Sequence, residues 1–180
     1  MDAVSITGLQ GTGKTTLARA LGRALDAVVF SRDPLMDVLL AGGVPLESSP
    51  GTKGIGELGH ELQSALLRTQ LQMGRSVVLE CVVGLPMREH WRNIAVQQSA
   101  RFWIIDTICS DEDLHRERFE ARGPTQRGDW VLDWPTVAGY RRAFVPHPGA
   151  HFVADATDSV DHNVRKIVQL IRGASATVGG

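Results

Sequence analysis

Lysine is almost missing from this 180-residue chain: of 19 basic residues only Lys14, Lys53 and Lys166 are lysines, and the rest are arginines. Cysteine is scarce too, with Cys81 and Cys109 alone. Both follow or end apolar runs and read as buried thiols, and no Cys-x-x-Cys or Cys/His cluster offers a zinc site. The six histidines lack metal spacing. Net charge is nearly absent at −1, which removes any global field toward nucleic acid or an anionic membrane. No apolar run approaches membrane-spanning length. No signal peptide is expected, because the apolar N-terminal run doubles as a strand. A cytoplasmic setting follows as an expectation. At this length one domain is expected.

Against that background Lys14 stands out. It sits in Gly8-Leu9-Gln10-Gly11-Thr12-Gly13-Lys14-Thr15, followed by Thr16. This is a phosphate-binding P-loop, and its flanks suit it: Ala3–Thr7 reads as a buried strand and Thr16–Leu25 as a helix. Gly8, Gly11 and Gly13 let the backbone curl so that successive N–H groups, including that of Thr12, meet phosphate oxygens. The helix N-terminus adds positive potential. Lys14 reaches the terminal phosphates, and the Thr15 hydroxyl can ligate magnesium.

Strand and helix then alternate to the end of the chain, which predicts an α/β fold. The expected architecture is a P-loop three-layer α/β/α sandwich on a five-stranded parallel sheet. Later strands are expected at 27–30, 76–79, 101–107 and 151–154. Helices are expected over 35–40, 57–73, 87–97, 111–121 and 135–144, with a last helix striped by Val160, Val164, Ile167, Val168 and Ile171. The helix over 57–73 is expected to bury Leu58, Leu62, Ala65, Leu66, Thr69 and Met73. Ser110 is expected to cap the helix that follows it. The segment 41–56 reads as a loop. Residues 1–173 form the expected domain, with a short Arg-rich lid at about 111–134 and a flexible tail at 174–180.

In an open parallel sheet, ligands bind beyond the carboxyl ends of the strands. The second strand ends in Arg32-Asp33. Asp33 is the general-base candidate for attack by a hydroxyl, and equally a good cap for the helix at Pro34. Arg32 can hold an anionic group or lie solvated. Glu80 ends the third strand and suits the magnesium shell or the acceptor, or an ion pair with an arginine. Arg116, Arg118, Arg122 and Arg127 crowd the expected lid. Arg122 and Arg127 suit stabilisation of the transferring phosphoryl group, and Arg118 the nucleotide. Arg116, flanked by Glu112 and Glu120, reads as a surface pair. Arg88 and Arg92 follow the third strand, where an acceptor or only solvent can face them. Trp91 and Trp103 read as core. Trp130 and Trp134 read as packing against the lid or as pocket walls.

These motifs resemble the small P-loop kinases of the nucleoside-monophosphate-kinase-like group. The likeness is carried by residues 8–16, Phe30-Ser31-Arg32-Asp33, residues 74–80 and the Arg-rich segment 116–127. Within that group the pattern is similar to bacterial small-molecule kinases such as chloramphenicol phosphotransferase. There too a second-strand Asp, a third-strand acid, an Arg/Trp-bearing helix and an Arg-Gly-Asp lid occur in this order. The resemblance implies ATP-dependent transfer to a hydroxyl of a small acceptor, with Asp33 as base and Mg2+ on Thr15. The expected acceptor is an antibiotic, a sugar or a nucleoside-like compound. A nucleoside or nucleotide kinase is the alternative, and a polynucleotide end kinase or a non-catalytic nucleotide-binding protein stands further off. No Asn-Lys-x-Asp guanine reader is present, which argues against a GTPase-type switch protein, and ATP is the nucleotide the resemblance implies. Nucleic acid and membrane are not expected partners, and a homodimer stays open.

Overall fold

The computed structural model describes residues 1–123, 125–127 and 130–176. β1 (Asp2–Gly8) runs into α1 (Lys14–Leu25), then β2 (Val28–Ser31), α2 (Arg32–Ala41), α3 (Ile55–Gln72) and β3 (Val77–Glu80). α4 (Leu85–Gln97), β4 (Arg101–Ile108) and α5 (Glu112–Glu120) follow. A short pair, β5 (Thr125–Arg127) and β6 (Trp130–Leu132), precedes α6 (Trp134–Ala143), β7 (Phe152–Asp155) and α7 (Val160–Ala176).

Five strands form one sheet in the order β2-β3-β1-β4-β7, and every pairing in it is parallel. The alternation along β1 shows why it lies at the centre. Val4 and Ile6 face a core shared with Leu17, Leu21, Ile167 and Ile171 of α1 and α7. Ala3 faces a second core with Leu67, Leu71, Trp91 and Ile94 of α3 and α4. Both faces of the sheet are therefore covered, which makes three layers. Trp91 and Trp103 are core residues, as the sequence suggests. Among the described residues no helix is long and apolar enough to cross a membrane.

Two expectations need correction, and one short strand pair is added. The buried face of α3 is not Leu58, Leu62, Ala65, Leu66, Thr69 and Met73. It is Ile55, Gly59, Gln63, Ser64, Leu67 and Leu71, while Leu62 and Met73 are exposed. The cause is two buried polar side chains. The Gln63 amide donates to the carbonyls of Phe30 (2.9 Å) and Glu80 (3.2 Å), and the Ser64 hydroxyl accepts from Trp91 Nε1 (2.9 Å). The cap of α5 is Asp111 rather than Ser110, its carboxylate accepting from the Leu114 N–H at 2.9 Å. The expected lid contains, after Arg122, an antiparallel pair that the sequence reading did not include, with Thr125 opposite Leu132 and Arg127 opposite Trp130. Of the expected lid, Pro124, Gly128, Asp129 and the side chain of Arg127 lie outside the described residues, as do residues 177–180 of the expected tail. α7 itself runs past Gly173 to Ala176.

Candidate active site

β1 is the strand at which the chain switches from one half of the sheet to the other, and a crevice opens beyond its carboxyl end. The P-loop lies there. Gly11 and Gly13 hold φ of +88° and +78°, a region that costs a side-chain-bearing residue strain, so the curl of the loop depends on glycine. Lys14 is the first residue of α1, and its ammonium donates to the Leu9 carbonyl at 2.8 Å, across the loop it belongs to. The Thr12 hydroxyl sits 2.7 Å from both the Leu9 carbonyl and Thr107 Oγ1, which ties the loop to β4.

Two of the cavities that border the loop hold the expected site residues. The larger, about 500 Å³, is walled by Gly11, Thr12, Gly13 and Thr16 on one side and Arg118 and Arg122 on another. Its third wall is the β7–α7 turn, including Ala156, Asp158 and Ser159. Arg118 donates to the Ala156 carbonyl at 2.8 Å and so joins α5 to that turn. The smaller cavity is lined by Lys14, Thr15, Asp33, Glu80, Arg122 and Gln10, among others. Arg122 borders both. Residues that follow β1 and β2, the last residue of β3 and Arg122 just after α5 thus converge on one point, as the strand-end rule predicts.

Electrostatics tie this small cavity together. Burial pushes the Lys14 ammonium below the usual lysine range, while Glu80 and Asp33 oppose that shift and Arg122 adds to it. Glu80 is buried at the tip of β3, held by the Gln63 bond to its own carbonyl. The Thr15 hydroxyl and the Glu80 carboxylate present hard oxygen donors to the same space, which fits magnesium. Among the described residues no group of three or more His, Cys, Asp or Glu could hold an ion alone. Mg2+ characteristically takes one or two protein oxygens plus substrate phosphates, so this donor set matches that ion.

The structure does not bring every expected site residue to this cavity. Arg32, in the first turn of α2, is hydrogen-bonded to His60 Nε2 at 2.6 Å. Arg88 is neither solvated nor beside Asp33. Its guanidinium is buried on Asp106 of β4 at 2.5 Å, in a separate cavity of about 210 Å³. Asp106 also accepts from the His147 backbone N–H at 2.6 Å. Removing one partner strands a buried charge, so Arg88→Met is expected to lower unfolding free energy by about 3–5 kcal/mol. Urea titration of Arg88→Met/Asp106→Asn should recover most of that loss, and no recovery would show that the pair is not what the cost comes from. Arg116 pairs with Glu120 at 2.8 Å on the surface, in agreement with its sequence context. Sequence reasoning missed Gln63, His115, Asp106 and the β7–α7 turn. Only the last left a signal, the small polar run Ala156–Ser159 after a strand.

His60 gives a pH handle beside the site. Burial first, and then Arg32, push its imidazole down to about 4. Above pH ~6.5 it is neutral both folded and unfolded. As pH falls below that value the unfolded chain takes up the proton first, so stability drops until pH 4 or so, where the folded protein protonates too. The urea midpoint should fall across this window, and His60→Gln should reduce the slope; an unchanged slope would contradict the assignment.

A family model described as AAA domain matches residues 4–133. No curated protein sequence matches the chain. Solved structures do resemble it. A candidate kinase from Chloroflexus aurantiacus superposes with a TM-score of 0.72 at 22% identity, covering 96% of each chain. A gluconokinase from Sinorhizobium meliloti gives 0.66 at 16%, over 98% of this chain and 95% of that one. An APS kinase from Mycobacterium tuberculosis gives 0.60 at 17%, over 95% and 96%. The architecture shared with them is the P-loop kinase fold.

Proposed function

The chain belongs to the AAA domain family, and from that premise we propose that it is a kinase moving the γ-phosphate of ATP, with Mg2+, to a hydroxyl of a small molecule. The observation that carries this reading is the convergence of Lys14, Thr15, Asp33, Glu80 and Arg122 on one cavity beside the P-loop. The larger cleft between α5 and the β7–α7 turn takes the nucleoside, with Arg118 and Thr16 on its walls. The loop amides and Lys14 hold the phosphates. Asp33 accepts the proton of the acceptor hydroxyl as the hydroxyl oxygen attacks the γ-phosphorus in line, the bond from that phosphorus to the β,γ-bridging oxygen breaks, and ADP leaves. Charge that spreads over the equatorial oxygens meets Lys14 and Arg122. Thr15 and Glu80 would hold Mg2+, which would supply positive charge to the nucleotide's phosphates. Arg127 is proposed to close over the site from the lid, and residues 1–173 to fold as a single unit.

The acceptor approaches from the Asp33 and Glu80 side. Its class, an antibiotic, sugar or nucleoside-like compound, rests on the likeness to small-molecule kinases such as chloramphenicol phosphotransferase. A nucleotide kinase would need guanidinium groups for the acceptor phosphate. The three candidates are each engaged within the protein: Arg32 with His60, Arg88 with Asp106 and Arg92 with Glu89. That favours an acceptor without a phosphate of its own. Incubation with Mg-ATP and panels of antibiotics, sugars, nucleosides and nucleoside monophosphates should give ADP release that depends on a non-phosphorylated acceptor. Stimulation by a monophosphate alone would decide for the nucleotide kinase, and no stimulation by any panel would count against a kinase.

A further inference from the structure

We propose that His115 is a positioning residue for the P-loop, and that it holds the loop in its phosphate-ready curl only while its imidazole is neutral. His115 lies on α5 with no exposed surface, far in sequence from the loop it touches. Its Nε2 is 2.6 Å from the carbonyl of Gln10, inside the P-loop. Its Nδ1 is 3.3 Å from Nη1 of Arg141 on α6. Arg141 in turn donates to the carbonyls of Cys109 and Ser110, at the end of β4. A methyl group at Gly11 would meet His115 Cδ2 at 2.8 Å, so the ring is packed directly against the loop backbone. Trp134 closes the other side, edge to face at 5.2 Å.

The partners fix the tautomer. A carbonyl only accepts, so Nε2 carries the proton and donates to Gln10. A guanidinium only donates, so Nδ1 must offer its lone pair to Arg141. The neutral Nε2–H form satisfies both contacts. Protonation sets an Nδ1–H against the Arg141 guanidinium, two donors and two positive charges in a part-buried space. Every charged group facing the ring bears on this balance: Arg141 from α6 and Lys14 at the start of α1 oppose a second proton, and Glu112 on α5 favours it. Burial is the largest influence and also keeps the imidazole below its ordinary range. The inference deepens the kinase reading, on which it rests for what the loop grips.

The test compares wild type, His115→Leu and His115→Gln by amide hydrogen exchange across residues 8–13 and by Mg-ATP calorimetry, from pH 5 to 8. His115→Leu keeps an apolar side chain but strands the Gln10 carbonyl. Loop amides should exchange about tenfold faster, and Kd for Mg-ATP should rise by about the same factor. His115→Gln offers an amide N–H in place of Nε2–H and should return both within about threefold. Wild-type affinity should weaken only as pH falls below the ordinary imidazole range, and the Gln variant should be flatter. Leu-variant exchange and affinity equal to wild type at every pH would overturn the proposal. Should the Leu variant not fold, identical pH profiles for wild type and His115→Gln would overturn it. If wild type takes up no nucleotide, the kinase reading fails while the exchange measurement still judges His115.

Discussion

Lys14→Met is expected to abolish phosphoryl transfer while leaving thermal stability at or above that of wild type. The two halves of this result have one cause. An ammonium with little exposed surface at the start of α1 costs desolvation free energy, which is why its pKa is held down. Its hydrogen bond to the Leu9 carbonyl offsets part of that cost. Methionine keeps the aliphatic length without the charge. The melting midpoint should therefore stay within about 3 °C of wild type or rise, since about 1 kcal/mol corresponds to 2–4 °C at this size. The transition state loses a charge aimed at the phosphoryl oxygens, and kcat/KM should fall by about 10³-fold or more. Coupled ADP assays and circular dichroism on the same preparation check both. A variant that turns over within tenfold of wild type would show that Lys14 does not act on the phosphates.

Asp33→Asn is expected to separate binding from turnover. Asp33 borders the cavity that holds Lys14 and Thr15, and it does not line the larger cleft between α5 and the β7–α7 turn. Mg-ATP affinity should change by less than about threefold. Asparagine is nearly isosteric but accepts no proton at neutral pH, so kcat should fall by about 10²–10⁴-fold. Turnover near wild type would remove Asp33 from the role of base. A large loss of ATP affinity with kcat preserved would move it to the nucleotide instead.

The parts of this protein that could be read from sequence are those whose information is local. The P-loop is a contiguous motif with a strand before it and a helix after it, so Gly8–Thr16 could be placed at once. Strand ends then pointed to Asp33 and Glu80, because an open parallel sheet sends its carboxyl edges to one side. The misreadings have a common origin in polar residues that the fold buries. Gln63 and Ser64 occupy the inner face of α3, so a search for apolar periodicity settles on the neighbouring face. Arg88 looks like half of a surface pair until Asp106, eighteen residues on, arrives beneath it from β4. His115 looks like an ordinary helix residue until Gln10, 105 residues away, is seen to need its proton. Strands as short as β5 and β6 carry too little pattern to be told from a turn-rich loop. Contacts of long sequence separation, made by groups that usually face water, leave no periodic trace.

Isothermal titration of the purified chain with ATP in the presence of Mg2+ tests the reading most directly. Saturable one-to-one uptake is expected, with Kd between about 1 µM and 1 mM and a marked weakening in Lys14→Met. Absence of any binding heat for ATP or GTP over that range, from a chain that circular dichroism shows to be folded, would contradict it.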